Sequence, residues 1–376
     1  MSGVSIVLAA GATFCVSTIV LRSGGPMAEP VPDRWHRKST PLSGGVALLA
    51  GFLAGLAIDA ADGISGTIVA VALAGAAAWF LGFCDDKGWI GARTKLEGQI
   101  LIALATAVVI HPAWAPASLA IPVSAAVLVA AMNSFNLLDN IDGLAAGTAA
   151  IAAGSLALTT VFVDSHDLRL TGCAVAGSCL GFLPLNYRRR RPAALFMGDA
   201  GSHLLGIVVG STALLATPTQ AGTIASAVLA PILILALPIV DTAMVIVVRI
   251  AERRPIWRGG RDHLSHRLVY MGLGERAAVA ALFAVSITSS AVAVAVAAVG
   301  DALFTGAAVG IVFALLVGLA TRLALVREAA PRAIGDTTSP AADSPLRREE
   351  AAQPAAVLDL SAQPQAHAVE DRASAS

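Results

Sequence analysis

The residues able to do chemistry are few and grouped. Asp85 and Asp86 close the run WFLGFCDD, Asp139 and Asp142 sit within NSFNLLDNIDG, Asp199 opens FMGDAGSH, and His263, His266 and Arg267 fall in DHLSHRL. Carboxylates gathered in one place repel each other unless a cation lies among them. With the amides of Asn133, Asn136 and Asn140 nearby in sequence, they form a hard, all-oxygen donor set. Such a set suits Mg²⁺, which shares its shell with phosphate oxygens, with Mn²⁺ as the alternative ion. Two histidines at i and i+3 with no further ligand are a poor Zn²⁺ site. Flanked by Arg261 and Arg267, they suit phosphate better. Each feature alone has a plainer reading. A single Asp at a helix end is usually a cap or a solvated group, and GDAGS can simply cap the next helix. Arg188 to Arg191 read most simply as a basic cluster against anionic lipid head groups.

The elements that must bring these groups together are membrane helices. The chain has 376 residues, 56% hydrophobic and 13% charged, with a mean hydropathy of +0.77, whereas a soluble domain carries about 25% charged residues. Apolar runs long enough to cross a bilayer recur throughout. The expected fold is all-α: a polytopic transmembrane bundle of about 11 spans, near 3–21, 43–60, 66–84, 98–112, 118–135, 143–163, 168–185, 200–217, 222–250, 277–298 and 302–325. Pro231 and Pro238 predict a kink in the ninth. Lys and Arg fall almost wholly in the loops of one side, which is therefore expected to be cytoplasmic, with the N-terminus outside and the C-terminus inside. On this topology Asp85, Asp86, Asp139, Asp142, Asp199, His263 and His266 all share that face, where an active site is expected. Asp241 differs: it lies inside the ninth span, ~12 Å from the Arg249 end. An acid there is functional by default, and a polar contact within the bundle near the site floor is expected.

Residues 1–326 are expected to form the membrane domain. Residues 327–376, rich in Ala, Pro, Ser and charge, read as a disordered cytoplasmic tail. Cys15, Cys84, Cys173 and Cys179 have neither disulfide nor metal spacing and read as small buried hydrophobes. The first apolar run lacks a basic leader and reads as a span rather than a cleaved signal.

The motifs LGFCDDKGWIGARTK, NSFNLLDNIDGLAAG, FMGDAGSHLLG and DHLSHRLVYMGL, in this order, resemble the polyprenyl-phosphate N-acetylhexosamine-1-phosphate transferases. The loop PVPDRWHRKSTPLSGG fits as well, and the resemblance covers about residues 20 to 325. It implies transfer of a sugar 1-phosphate from a cytoplasmic UDP-N-acetylhexosamine to a polyprenyl phosphate in a bacterial plasma membrane, with release of UMP and Mg²⁺ as cofactor. It implies a metal ligand at Asp199 and a second at Asn136. Lys95 then contacts the donor pyrophosphate, Asp142 reads the uracil with Asp139 supporting it, and Asp85 and Asp86 serve the acceptor phosphate and metal. His263, His266 and Arg267 hold donor phosphate and sugar. Direct attack by the lipid phosphate and a double displacement through an aspartyl-phosphate both remain open routes.

The chain departs from the family pattern twice. Asn140 stands where a glycine of DGxDG is usual, and Asn tolerates positive φ better than most residues. Ser265 replaces a histidine in the loop HLSH. That loop, with Thr40-Pro41-Leu42-Ser43-Gly44-Gly45, leans towards donors of the UDP-N-acetylglucosamine type rather than phospho-N-acetylmuramoyl-pentapeptide. A transporter or lipid flippase is the competing class, but it should place its ionisable groups at the midplane. Expected partners are the UDP-sugar, polyprenyl phosphate and membrane lipid, with no nucleic acid. A homodimer through small-residue faces is open.

Overall fold

The computed structural model describes residues 2–23, 27–28, 39–57, 64–111, 116–162, 164–188, 191–216, 232–256, 260–299 and 301–326. The expected tail at 327–376, Pro231 and most of the first basic loop lie outside the described residues.

The described fold is all-α, with one two-residue hairpin. In chain order the helices are α1 (Ser2–Ser23), α2 (Gly44–Leu56), α3 (Gly66–Asp86), α4 (Ala92–Ile110), α5 (Ala117–Leu138), α6 (Leu144–Thr159), α7 (His166–Asn186) and α8 (Gly198–Leu215). They continue with α9 (Ala236–Ala251), the short α10 (Leu264–Tyr270), α11 (Glu275–Val299) and α12 (Ala302–Ala324). Each of the eleven expected spans overlaps a described helix, although residues 222–231 of the ninth lie outside the described residues, and α10 is an addition within the loop after the ninth. Six helices (α1, α3, α5, α7, α11 and α12) are long and apolar enough to cross a membrane, and α2 and α6 are shorter apolar helices.

Local chemistry sets the helix boundaries. Ser65 accepts from the Ile68 N–H and caps α3, Ser165 does the same for α7 through Leu168, and Asp301 caps α12 through Phe304. Ser65 also donates to the Asp167 carboxylate at 2.7 Å, which pins the starts of α3 and α7 together. The expected kink in the ninth span is resolved as a helix boundary. Leu235 is a turn, and α9 begins at Ala236 with Pro238 in its first turn, where a missing N–H costs little.

Helix α8 is the centre of the bundle. Every residue from Ala200 to Ala213 is buried, and α2, α3, α4, α5, α6 and α7 all pack on it. Its Ser and Gly positions let those backbones come close, the packing that holds helices together where lipid removes the hydrophobic drive. Cys173 and Cys179 are buried as expected; Cys84 is half-buried, and Cys15 is exposed on α1, contrary to the expectation of four buried cysteines. The reason is position: α1 turns its Val4, Val7, Phe14 and Ile19 outwards as well, so Cys15 shares a peripheral apolar face.

The strands β1 (Met27–Ala28) and β2 (Thr40–Pro41) pair antiparallel. The Pro41 carbonyl accepts from Phe196 N–H at 2.8 Å, and the Phe196 carbonyl accepts from Gly44 N–H at 2.9 Å. The Thr40–Gly45 loop is thereby fastened to the segment that leads into Asp199.

Candidate active site

One end of the bundle collects the C-terminal ends of α3, α5, α7 and α9 and the N-terminal ends of α4, α6, α8 and α11. The polar motifs meet there in two linked groups.

The first group forms where α3, α4 and α8 converge. Lys95 donates to Asp85 at 2.7 Å and to Asp199 at 2.5 Å. All three side chains are only partly accessible, so this ion triad is drier than a surface pair. Asp86 turns the other way. Its two oxygens accept from the backbone N–H groups of Asp199 and Ala200 at 2.8 and 3.0 Å. A carboxylate from one helix thus caps the N-terminus of another and meets its positive dipole end. Gly198 makes this possible: its φ is +66°, and a Cβ there would stand 2.6 Å from the Asp86 carboxylate.

The island NSFNLLDNIDG runs off the end of α5, and Asn133, Asn136, Asn140 and Asp142 each reach a different part of the chain. Asn133 donates to Gln99 on α4 at 2.8 Å. Gln99 meets His203 Nε2 at 2.8 Å, and His203 Nδ1 meets the Asp199 carbonyl at 2.7 Å. The direction of bonding along this chain is fixed. The carbonyl only accepts, so Nδ1 carries the hydrogen and Nε2 accepts from the Gln99 amide. Asn136 donates to Ser202 at 3.1 Å, and Ser202 donates to the Asp199 carbonyl at 3.3 Å. Asp142 accepts from Ala193 N–H at 2.9 Å. Asp139 is the C-cap residue of α5. Left-handed backbone, which Asn140 was expected to tolerate, is found instead at Gly143 (φ +83°), whose N–H donates to Asn186 at 2.8 Å. Among the described residues Arg253 alone of the non-glycines has positive φ. The Asn140 amide nitrogen donates to the Leu137 carbonyl, so this side chain closes the turn by a hydrogen bond rather than by a special φ.

The second group is the histidine loop. Ser265 donates to the Asn140 side-chain oxygen at 2.6 Å and ties this loop to the island. The rings of His263 and His266 pack edge to face with centroids 5.4 Å apart. Asp241 is the bundle contact expected of it: buried, it accepts from His263 Nδ1 at 2.8 Å and from Leu264 N–H at 2.7 Å. Arg249 clamps Asp262 through two nitrogens at 2.9 and 3.0 Å, with Arg254 adding a third bond at 2.8 Å. Burial works against ionising Asp262, but the hydrogen bonds and charge of Arg249 outweigh it and pull the carboxyl down to about 2. Burial, reinforced by the neighbouring His263, pushes His266 down to about 3, so it is neutral near pH 7. Arg267 makes contacts that its sequence position did not suggest. It donates to the Leu323, Ala324 and Val326 carbonyls and so caps the end of α12.

The structure therefore brings Asp85, Asp86, Lys95 and Asp199 together, sets Asn136 two hydrogen bonds from the Asp199 backbone by way of Ser202, and places Asp139 and Asp142 on the turn that meets the loop of His263 and His266. Sequence reasoning passed over Gln99 and His203, polar side chains that each open onto an apolar run and that meet across 104 residues. Among the described residues no three His, Cys, Asp or Glu side chains form a metal-holding group. The donor chemistry nevertheless fits a hard cation: carboxylates from α3 and α8 already converge on one positive centre, the Lys95 ammonium. With the Asn136 nitrogen engaged by Ser202, its oxygen is the end left to act as a ligand.

A helical membrane enzyme with carboxylates, a lysine and histidines at one end of the bundle is the class this geometry defines. The model for glycosyl transferase family 4 matches residues 68–217. The chain is 30% identical over 298 residues to a decaprenyl-phosphate N-acetylglucosaminephosphotransferase of Mycobacterium leprae, covering 68% of this chain and 73% of that protein. It is 31% identical over 272 residues to a probable undecaprenyl-phosphate N-acetylglucosaminyl 1-phosphate transferase of Bacillus subtilis, covering 69% and 74%. A phospho-N-acetylmuramoyl-pentapeptide-transferase of Caldicellulosiruptor bescii is 33% identical over 216 residues, covering 50% and 63%. The chain belongs to glycosyl transferase family 4, and it is a multi-pass membrane protein.

Proposed function

We propose that this protein transfers N-acetylglucosamine 1-phosphate from UDP-N-acetylglucosamine to a polyprenyl phosphate, releasing UMP. The observation that carries this reading is the Asp85–Lys95–Asp199 triad, held against the Asp86-capped start of α8 at the end of the bundle where the histidine loop lies. In the reaction an oxygen of the lipid phosphate attacks the β-phosphorus of the donor. The bond from that phosphorus to the bridging oxygen breaks, and UMP leaves with the electron pair. The sugar keeps its anomeric configuration because no bond to the anomeric carbon is touched.

By analogy with phosphoserine, whose second pKa is near 6, the lipid phosphate is mostly a dianion at pH 7. It therefore needs orientation more than deprotonation, a task for Asp85. Lys95 neutralises charge spreading over the phosphate oxygens, the usual main source of catalysis in phosphoryl transfer. Asp86 holds the Asp199 turn in place. Asp142 and Asp139 are assigned to the uracil, and His263 and His266 to the donor phosphates. A bound Mg²⁺, held by Asp199 and the Asn136 oxygen, would supply further positive charge to the donor pyrophosphate. The site faces the cytoplasm, and the membrane is the bacterial plasma membrane, as the basic loops on that side support.

The test is UMP release from membranes supplied with polyprenyl phosphate. UDP-N-acetylglucosamine should turn over, chelation should stop it, and Mg²⁺ should restore it. Asp199→Asn should lower kcat at least about a hundredfold, the scale of losing one transition-state electrostatic contact. Near wild-type activity in that variant would remove Asp199 from the site. Turnover of UDP-N-acetylmuramoyl-pentapeptide alone would overturn the donor assignment.

A further inference from the structure

Asp241 is 1% exposed and stands within α9, yet both its oxygens are spent on one place. One accepts from the backbone N–H of Leu264 and the other from His263 Nδ1. A buried charge is retained only when its partners compensate it, so this carboxylate and the start of α10 are built around each other. An ionised carboxylate can only accept, which means that His263 Nδ1 carries a hydrogen. The ring is held on one edge by Asp241 and packed in an edge-to-face contact with His266. Nε2 is then the polar atom it can offer to a ligand. A phosphate oxygen also only accepts, so a His263 that binds one does so as an imidazolium, donating to Asp241 from one nitrogen and to the phosphate from the other.

Resting on the donor-binding reading of the histidine loop, we propose that Asp241 is the positioning residue of donor recognition, acting through His263 so that its Nε2–H is aimed at the donor pyrophosphate. His266, buried beside it and also assigned to the donor phosphates, braces the ring against turning through the edge-to-face contact. The neighbourhood agrees with this division. Arg249 and Arg254 are committed to Asp262, and Arg267 caps α12, so these three guanidiniums already have anionic or carbonyl partners.

Asp241→Asn tests the idea directly. An amide presents one acceptor to the two donors that Asp241 satisfies, so the variant must give up either the Leu264 bond or the Nδ1–H of His263. The expected result is a rise in the KM for UDP-N-acetylglucosamine of about tenfold, within the range found for directly bonded pairs. The KM for polyprenyl phosphate should stay unchanged. Combined with His263→Ala, which should itself be impaired, Asp241→Asn should add no further loss. An unchanged donor KM, or losses that multiply in the double variant, would overturn the proposal.

A second comparison leaves Asp241 in place and so survives any folding defect of the first variant. Glutamine at 263 carries an amide N–H near the Nε2 position, whereas asparagine carries one near Nδ1. His263→Gln should retain more activity than His263→Asn, and the reverse order would also overturn the proposal. Full activity in His263→Ala would instead sink the donor-binding reading of the loop, and this proposal with it.

Discussion

At the scale of single residues, the two positions where the chain departs from its family's usual pattern touch each other. Ser265 donates to Asn140 at 2.6 Å, so each substitution supplies what the other needs: a short donor opposite a short acceptor. Ser265→Ala removes the donor; Asn140 is only partly buried, so water answers some of the loss and the cost is about 1 kcal/mol, that of one ordinary hydrogen bond. The bond joins the turn assigned to the uracil to the loop assigned to the donor phosphates. The loss should therefore appear as a higher KM for the UDP-sugar with the lipid KM unmoved. Ser265→Ala together with Asn140→Gly should recover part of it, and steady-state kinetics on the two variants would show whether it does. This pairing was half legible in sequence. Both departures could be named from the motifs, but their meeting across 125 residues could not. The partner of Asp241 was hidden too, since it lies 22 residues on, beyond the end of its own helix. Arg267 shows the converse: a basic residue beside histidines suggests phosphate, and the structure adds carbonyl partners at the end of a helix more than fifty residues away.

At the scale of elements, the site is made by helix ends rather than by loops. Asp86 ends α3 and caps α8, Lys95 lies in the first turn of α4, and Asn133, Asn136 and Asn140 fall at i, i+3 and i+7 along one face of α5 and its exit. Gly198 is the joint on which the α3–α8 cap depends. In Gly198→Ala the new methyl meets the Asp86 carboxylate in a backbone conformation that costs roughly 1–2 kcal/mol for a residue with a Cβ. The cap should open and Asp199 should shift with it. We expect at least a tenfold loss of kcat with assembly intact, since about 1.4 kcal/mol of lost transition-state stabilisation is tenfold. Chromatographic behaviour in detergent alongside the kinetics would separate this from simple unfolding. Most helices were legible because apolar length is a strong signal. The bond network inside them was not, because Gln99 and His203 carry no periodic mark and take their meaning from a neighbour on another helix.

At the scale of the whole molecule, the burial of α8 bears on how the protein is made. Hydropathy ranks α1, α3, α5, α7, α11 and α12 as fit to span a membrane, and the helix that all the inner elements surround is not among them. Asp199, Ser202, His203, Ser211 and Thr212 are tolerable in α8 only because protein, not lipid, lies around it. When α8 leaves the ribosome, six of its seven predecessors are the partners it needs. The translocon should therefore release it into the bilayer late, against helices already waiting. Placed alone in a reporter of membrane insertion, segment 198–215 should insert poorly, while 302–324 should insert well. Preceded by 66–186, the same segment should enter efficiently. Equal insertion of the two isolated segments would show that α8 needs no such company. The helix that presents the Asp199 carboxylate would then be the last part of the inner bundle to arrive, and a half-synthesised chain would hold no assembled site.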